Sequence, residues 1–141
     1  MSTIRAWKYL GRSMLALVGT LALSASAEDV KVTLSGDEEV PPVTTTAKGE
    51  GTITVAQDKT VSGSVTTMGV EGVAAHIHVA EKGKNGPPIV TLVKSGDGKW
   101  TTPPDAKLTD EQYKSFKAGH LYVNVHSPKN KGGEIRGQLK P

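Results

Sequence analysis

The chain contains no cysteine. That excludes a disulfide framework and all thiolate chemistry, so packing alone must hold the fold unless a metal contributes. Long hydrophobic runs are missing as well. The apolar segment "SMLALVGTLAL" at 13–23 falls well short of the ~20 residues that span a bilayer. It follows Arg5, Lys8 and Arg12 and precedes "ASA" at 25–27, the three-part layout of a secretory signal. No cysteine after it offers a lipid anchor, and no twin arginine precedes it. We therefore expect a Sec-type signal peptide over 1–27, cleaved before Glu28, and one domain over 28–141. The expected location is periplasmic or secreted, with no stable membrane insertion after cleavage.

A surplus of one charge is the next thing lacking. The whole chain has 17 Lys+Arg and 14 Asp+Glu, but three of the basic residues and none of the acidic ones lie in 1–27. The remainder carries 14 of each, and a neutral domain leaves no electrostatic footprint for nucleic acid. Met68 is the sole methionine beyond the signal, which excludes a Met-rich copper(I) carrier but not one weak axial ligand. No serine stands in a nucleophile-elbow context. "GKNGP" (83–87) lacks the spacing and following helix of a phosphate loop and reads as a hairpin turn. Asp105, Asp110 and Glu111 gather at a helix start, where acids answer the helix dipole, so paired-carboxylate hydrolysis is not indicated.

What is present is a series of short strands punctuated by Gly, Pro, Asp and Asn. They run over 30–36, 50–56, 60–69, 72–80, 88–96, 98–102, 120–127 and 134–140. "EGTITVA" (50–56) shows the period-two alternation of a half-buried strand. One helix interrupts at "LTDEQYKSFKAG" (108–119), with Thr109 and Gln112 spaced as a capping box, Leu108 and Tyr113 as a staple, and Gly119 suited to the C′ position. The fold class is all-β: an antiparallel Greek-key sandwich or flattened barrel of seven to eight strands with one short helix.

Side chains alternate across a strand, so the apolar set orients the rest. Ala75, Ile77 and Val79 form the core set of 72–80, leaving His76 and His78 on the other face. Leu121, Val123 and Val125 do the same in 120–127, leaving His120, Tyr122, Asn124 and His126 outside. Ile135 and Leu139 leave Glu134, Arg136 and Gln138 outside. Histidines at i and i+2 have Cα atoms roughly 6.5–7 Å apart, close enough for both imidazoles to reach one ion at ~2.0 Å. His126 is the best-placed third ligand. Three neutral imidazoles without thiolate suit copper or zinc. His120 lies about 20 Å from His126 along an extended strand and is left out of the set. "EVPP" (39–42) reads as a loop fixed by two prolines, with a lid carrying Glu39 near the metal as the functional alternative. Tyr122 and Asn124 read as cross-strand contacts or as groups orienting imidazoles. Glu134 reads as a partner of Arg136 or of a ligand histidine.

"LSGDEEVPPV", "GEGTITV", "AAHIHVAEKGKNGPPIV", "AGHLYVNVHS" and "GGEIRGQL", in that order over about 30–139, resemble the CHRD domain named after chordin. The likeness is to bacterial single-domain exported members, and it implies fold and location more than activity. A looser likeness is to copper–zinc superoxide dismutase, in an H-x-H strand, a late strand ending "VNVH" and a closing "GGEIRG". By that resemblance His76, His78 and His126 would be copper ligands and Arg136 an anion guide. The chain departs from it in lacking the long zinc-binding loop and the disulfide cysteines, and in the short 126–136 segment. Three functions follow as expectations: an exported copper-binding protein for metal storage, tolerance or delivery, with zinc as the alternative ion; a copper-only, dismutase-like redox enzyme; or a metal-free partner-binding or adhesion module.

Overall fold

The computed structural model describes residues 26–141 together with Gly19. The expected export signal therefore lies outside the described residues, apart from Gly19 and its last two positions. Among the described residues no helix is long and apolar enough to cross a membrane.

Among the described residues, nine strands form one antiparallel sheet: β1 (Ala27–Ser35), β2 (Lys48–Ala56), β3 (Val61–Met68), β4 (Ala74–Val79), β5 (Pro88–Thr91), β6 (Val93–Gly96), β7 (Lys99–Thr101), β8 (Leu121–His126) and β9 (Ile135–Leu139). Their order is β5-β4-β8-β9-β1-β2-β3-β7-β6. The two outermost strands, β5 and β6, are consecutive in the chain and separated by Leu92 alone. The sheet must therefore roll until its edges meet, which makes it a nearly closed, flattened barrel. β5 and β4 form one edge, β7 and β6 the other, and β3 lies beside β7, so that once the edges meet the order is that of a Greek key. The apparent ninth strand arises from "PIVTLVKSG", which reads as one strand. It breaks at Leu92, whose amide donates to the Ala75 carbonyl (2.9 Å) while its side chain enters the core. The segment pairs with β4 before that point and with β7 after it.

The barrel interior is filled by the alternating apolar positions. Val30, Val32 and Leu34 come from β1, Ile53 and Val55 from β2, Ala75 and Ile77 from β4, Leu121, Val123 and Val125 from β8, and Ile135 and Leu139 from β9. The helix α1 (Asp110–Lys117) adds Phe116, and the residue before its cap adds Leu108. Its N-terminus carries the full capping box: Thr109 Oγ1 accepts from the Gln112 amide (3.2 Å) and Gln112 Oε1 accepts from the Thr109 amide (2.9 Å). At the C-terminus Gly119 takes φ 78°. Its amide donates to the Phe116 carbonyl and that of His120 to the Ser115 carbonyl, a Schellman motif that only a residue tolerant of the left-handed region closes easily. Ion pairs Lys59–Asp110 (2.8 Å) and Lys117–Glu28 (2.9 Å) seat the helix near the β2–β3 turn and the start of β1. That is the end of β8 remote from His126.

Ile77 sits between the two histidines of β4 and is 1 % exposed. Ile77→Ala is expected to lower the unfolding free energy by ~2–5 kcal/mol through lost transfer and an uncollapsed cavity. Urea denaturation with an unchanged m-value checks this.

Candidate metal centre

Strands β4 and β8 are direct neighbours, in a register that sets Ala74 opposite His126, His76 opposite Asn124 and His78 opposite Tyr122. β9 continues the sheet, with Arg136 opposite Asn124 and Gln138 opposite Tyr122. Alternation then places His76, His78, Tyr122, Asn124, His126, Arg136 and Gln138 together on the face away from the core. Ring centroids stand 5.5 Å apart for His76–His78, 4.9 Å for His76–His126 and 6.0 Å for His78–His126. One ring nitrogen from each of the three lies within 4.8 Å of the others. His120 is not among them; its carbonyl accepts from the Ala80 amide where β8 begins. Met68, the one thioether beyond residue 27, is exposed on β3, which pairs with neither β4 nor β8.

The hydrogen bonds fix which nitrogens are available. His78 Nδ1–H donates to the Gly86 carbonyl (2.8 Å) and His126 Nδ1–H to the Lys131 carbonyl (2.8 Å). Both Nε2 atoms are therefore lone-pair donors to a metal, the arrangement in which a carbonyl on the far nitrogen orients a ligating imidazole. His76 Nδ1 lies 3.0 Å from His126 Nε2, donating a proton that a bound cation would replace. His78 Nε2 is buried and finds no hydrogen-bond partner among the described residues. Burial above all, then the charges of His126 and His78, hold the His76 imidazole below its usual protonation range. Burial likewise lowers His78, with His126 and Arg136 acting in the same direction against the Gly86 carbonyl and Asn124. Both rings are kept neutral, the state in which imidazole binds a metal. The residues present thus fit a cation that prefers nitrogen donors.

The face itself departs from the expectation of an outward, solvated surface. His78, Tyr122, Asn124, Arg136 and Gln138 are all buried, while His76 and His126 remain half-buried at its border. Two loops cover the face. Arg136 donates to the carbonyls of Lys84 (2.8 Å) and Glu81 (3.2 Å) and to Gln138 Oε1 (3.1 Å), and Gln138 reaches the carbonyls of Ala80 and Gly119. Asn85 Nδ2 donates to the Val40 carbonyl (2.7 Å), tying the 80–87 loop to the "EVPP" loop. The His78 ring stacks on Tyr122 at 4.8 Å and 8°, and the Arg136 guanidinium lies 3.5 Å from the Tyr122 centroid. Arg136 itself is 1 % exposed, its donors committed to the Lys84 and Glu81 carbonyls and to Gln138 Oε1. Its observed work is to fasten the cover loop. Glu134 is paired neither with Arg136 nor with a histidine: it accepts from Ser127 (2.7 Å), Thr45 (2.8 Å) and Asn130 (3.3 Å), holding the β8–β9 turn.

The group that strand alternation could not bring out is Glu39. The "EVPP" loop is fixed by its prolines as expected, and it also lays Glu39 under the cover, 4 % exposed, beside Asn124 and within the field of Arg136. The signal was a glutamate ahead of two prolines that allow the loop little freedom.

The family model described as the CHRD domain matches residues 30–139. No curated protein matches the chain, and no solved structure does.

Burial pushes the Glu39 carboxyl up to about 7, against the opposing pull of Arg136 and of Asn124. Its folded value thus exceeds its ordinary 4.5. The stability it contributes is fully present below pH 4.5 and is lost as pH rises through 7. Glu39→Gln is therefore expected to be more stable than the parent at pH 8, by on the order of 3 kcal/mol, with the difference closing toward pH 4.5. Urea unfolding at several pH values reads this; an equal difference at all of them would contradict it.

Proposed function

Since the chain belongs to the CHRD domain family, we propose that it is an exported protein that binds one copper ion through His76, His78 and His126. The ion would be held for storage, tolerance or delivery. The observation that carries this reading is the convergence of three imidazoles, with Nδ1 of His78 and of His126 fixed by a carbonyl and the Nε2 of His78 buried and unpaired. Copper is preferred over zinc because divalent copper binds nitrogen sites most tightly in the first-row series, and no thiolate is present to favour zinc. The half-buried edges of His76 and His126 leave an approach for the ion. A dismutase-like enzyme would need an anion path as well as an open coordination position, and the burial of Arg136 favours binding over turnover. Export rests on the basic, apolar and small-residue order of 1–27.

The purified domain is expected to take up one equivalent of copper, with zinc binding more weakly in competition, and the His76→Ala/His78→Ala/His126→Ala variant to take up none. At copper 100-fold above Kd, stabilisation of about 2.7 kcal/mol follows, read as a rise in Tm that a chelator reverses. Equal uptake by the two proteins would end this reading. Mass spectrometry of the exported form is expected to find Glu28 at its N-terminus; a retained 1–27 segment would contradict the export assignment.

A further inference from the structure

Three imidazoles leave a four-coordinate ion one donor short, and the same face holds a further orphaned atom. Asn124 is 2 % exposed and its Oδ1 is buried with no hydrogen-bond partner among the described residues. It stands opposite His76 on β8, in the row between those of His78 and His126. Its side chain lies against both the His78 ring and the Glu39 carboxyl. The amide's orientation is set from behind: Nδ2 donates to the Gly132 carbonyl (3.3 Å), so Oδ1 must take the other direction. Gly133, at φ 123°, closes off escape on that side, since a Cβ there would collide with Asn124 Nδ2 and Glu39 Oε1.

The electrostatics of this arrangement are unbalanced without a cation. His78 Nδ1–H is committed to the Gly86 carbonyl, so its Nε2 presents a lone pair. Asn124 Oδ1 presents lone pairs too. Two buried acceptors side by side, each without a donor, are destabilising, and a positive ion satisfies both at once.

We propose that Asn124 is the fourth ligand of the metal centre, donating through its carboxamide oxygen to give a closed set of three nitrogens and one oxygen. This rests on the reading of His76, His78 and His126 as metal ligands, and it deepens it. A site whose four positions are filled by protein holds an ion rather than offering it to a substrate, which makes the centre a holding site. The Gly132 carbonyl is the positioning group that keeps the oxygen turned toward the ion.

The test uses the 28–141 chain loaded with one equivalent of copper(II). Electron paramagnetic resonance is combined with proton double resonance after exchange into D2O, which detects water bound to the metal. The parent protein is expected to show no exchangeable equatorial water. Asn124→Ala is expected to gain one and to bind copper about 10–100-fold more weakly. Asn124→Asp, close to isosteric, is expected to bind without such water and with a shifted copper spectrum, because a carboxylate has replaced an amide. It decides the matter should the alanine variant fail to fold. A parent that already carries water, with its spectrum unmoved in both variants, overturns Asn124 as a ligand while leaving the histidine site standing. A parent that binds no copper overturns both.

Discussion

The pairing of β4 with β8 decides where every group of the candidate centre lies. His76 and His126 are 50 residues apart in the chain and meet because Ala74 and His126 are cross-strand partners. That register is enforced from the opposite face. Ala75, Ile77, Val123 and Val125 are all essentially fully buried, and a slip by one residue would turn them out and the histidines in. The hydrophobic effect, acting on side chains that never touch the site, thereby aims the imidazoles. The neighbouring β9 extends the same logic, with Ile135 and Leu139 inward and Arg136 and Gln138 delivered to the polar side.

Covering that polar side with loops gives the barrel a second buried layer along β8 and β9. Buried polar groups are tolerated where their hydrogen bonds are made, and most are made here by backbone. Arg136 and Gln138 spend their donors on the carbonyls of residues 80, 81, 84 and 119. The exceptions are concentrated: His78 Nε2, Asn124 Oδ1 and Glu39 Oε1 lie unpaired on this one face, with Trp100 Nε1 elsewhere. Local rules are most often broken at functional sites. A cluster of three unsatisfied atoms beside three convergent imidazoles is such a break, and it favours the approach of a cation over further collapse.

Much of the architecture was legible in the residues. Alternation in "EGTITVA", "AHIHVA" and "HLYVNVHS" placed core and outer faces, because a strand's period of two leaves one choice once the apolar set is known. The capping box and C′ glycine of α1 were readable because both are local, spanning a few residues. The segment 88–96 reads as a single strand, since nothing local marks Leu92 as the point where one partner strand gives way to another. That switch is a property of barrel closure. Glu134 reads as a partner of Arg136 or of a ligand histidine, whereas Glu134 bonds to Thr45 and the β8–β9 turn and Arg136 largely to the 80–87 loop, segments that alternation does not position.

Which side chains share a face, where the helix starts and stops, and the presence of three imidazoles without thiolate can all be read from the residues alone. These follow from periodicity and composition, which are local. The folded barrel is needed to make β4 and β8 neighbours, to roof the outer face with two loops, and to bury Glu39, Asn124 and Arg136 beneath them. Those outcomes depend on contacts between segments far apart in the chain. The free energy of such contacts comes from burial summed over the whole barrel and is written in no single stretch of residues.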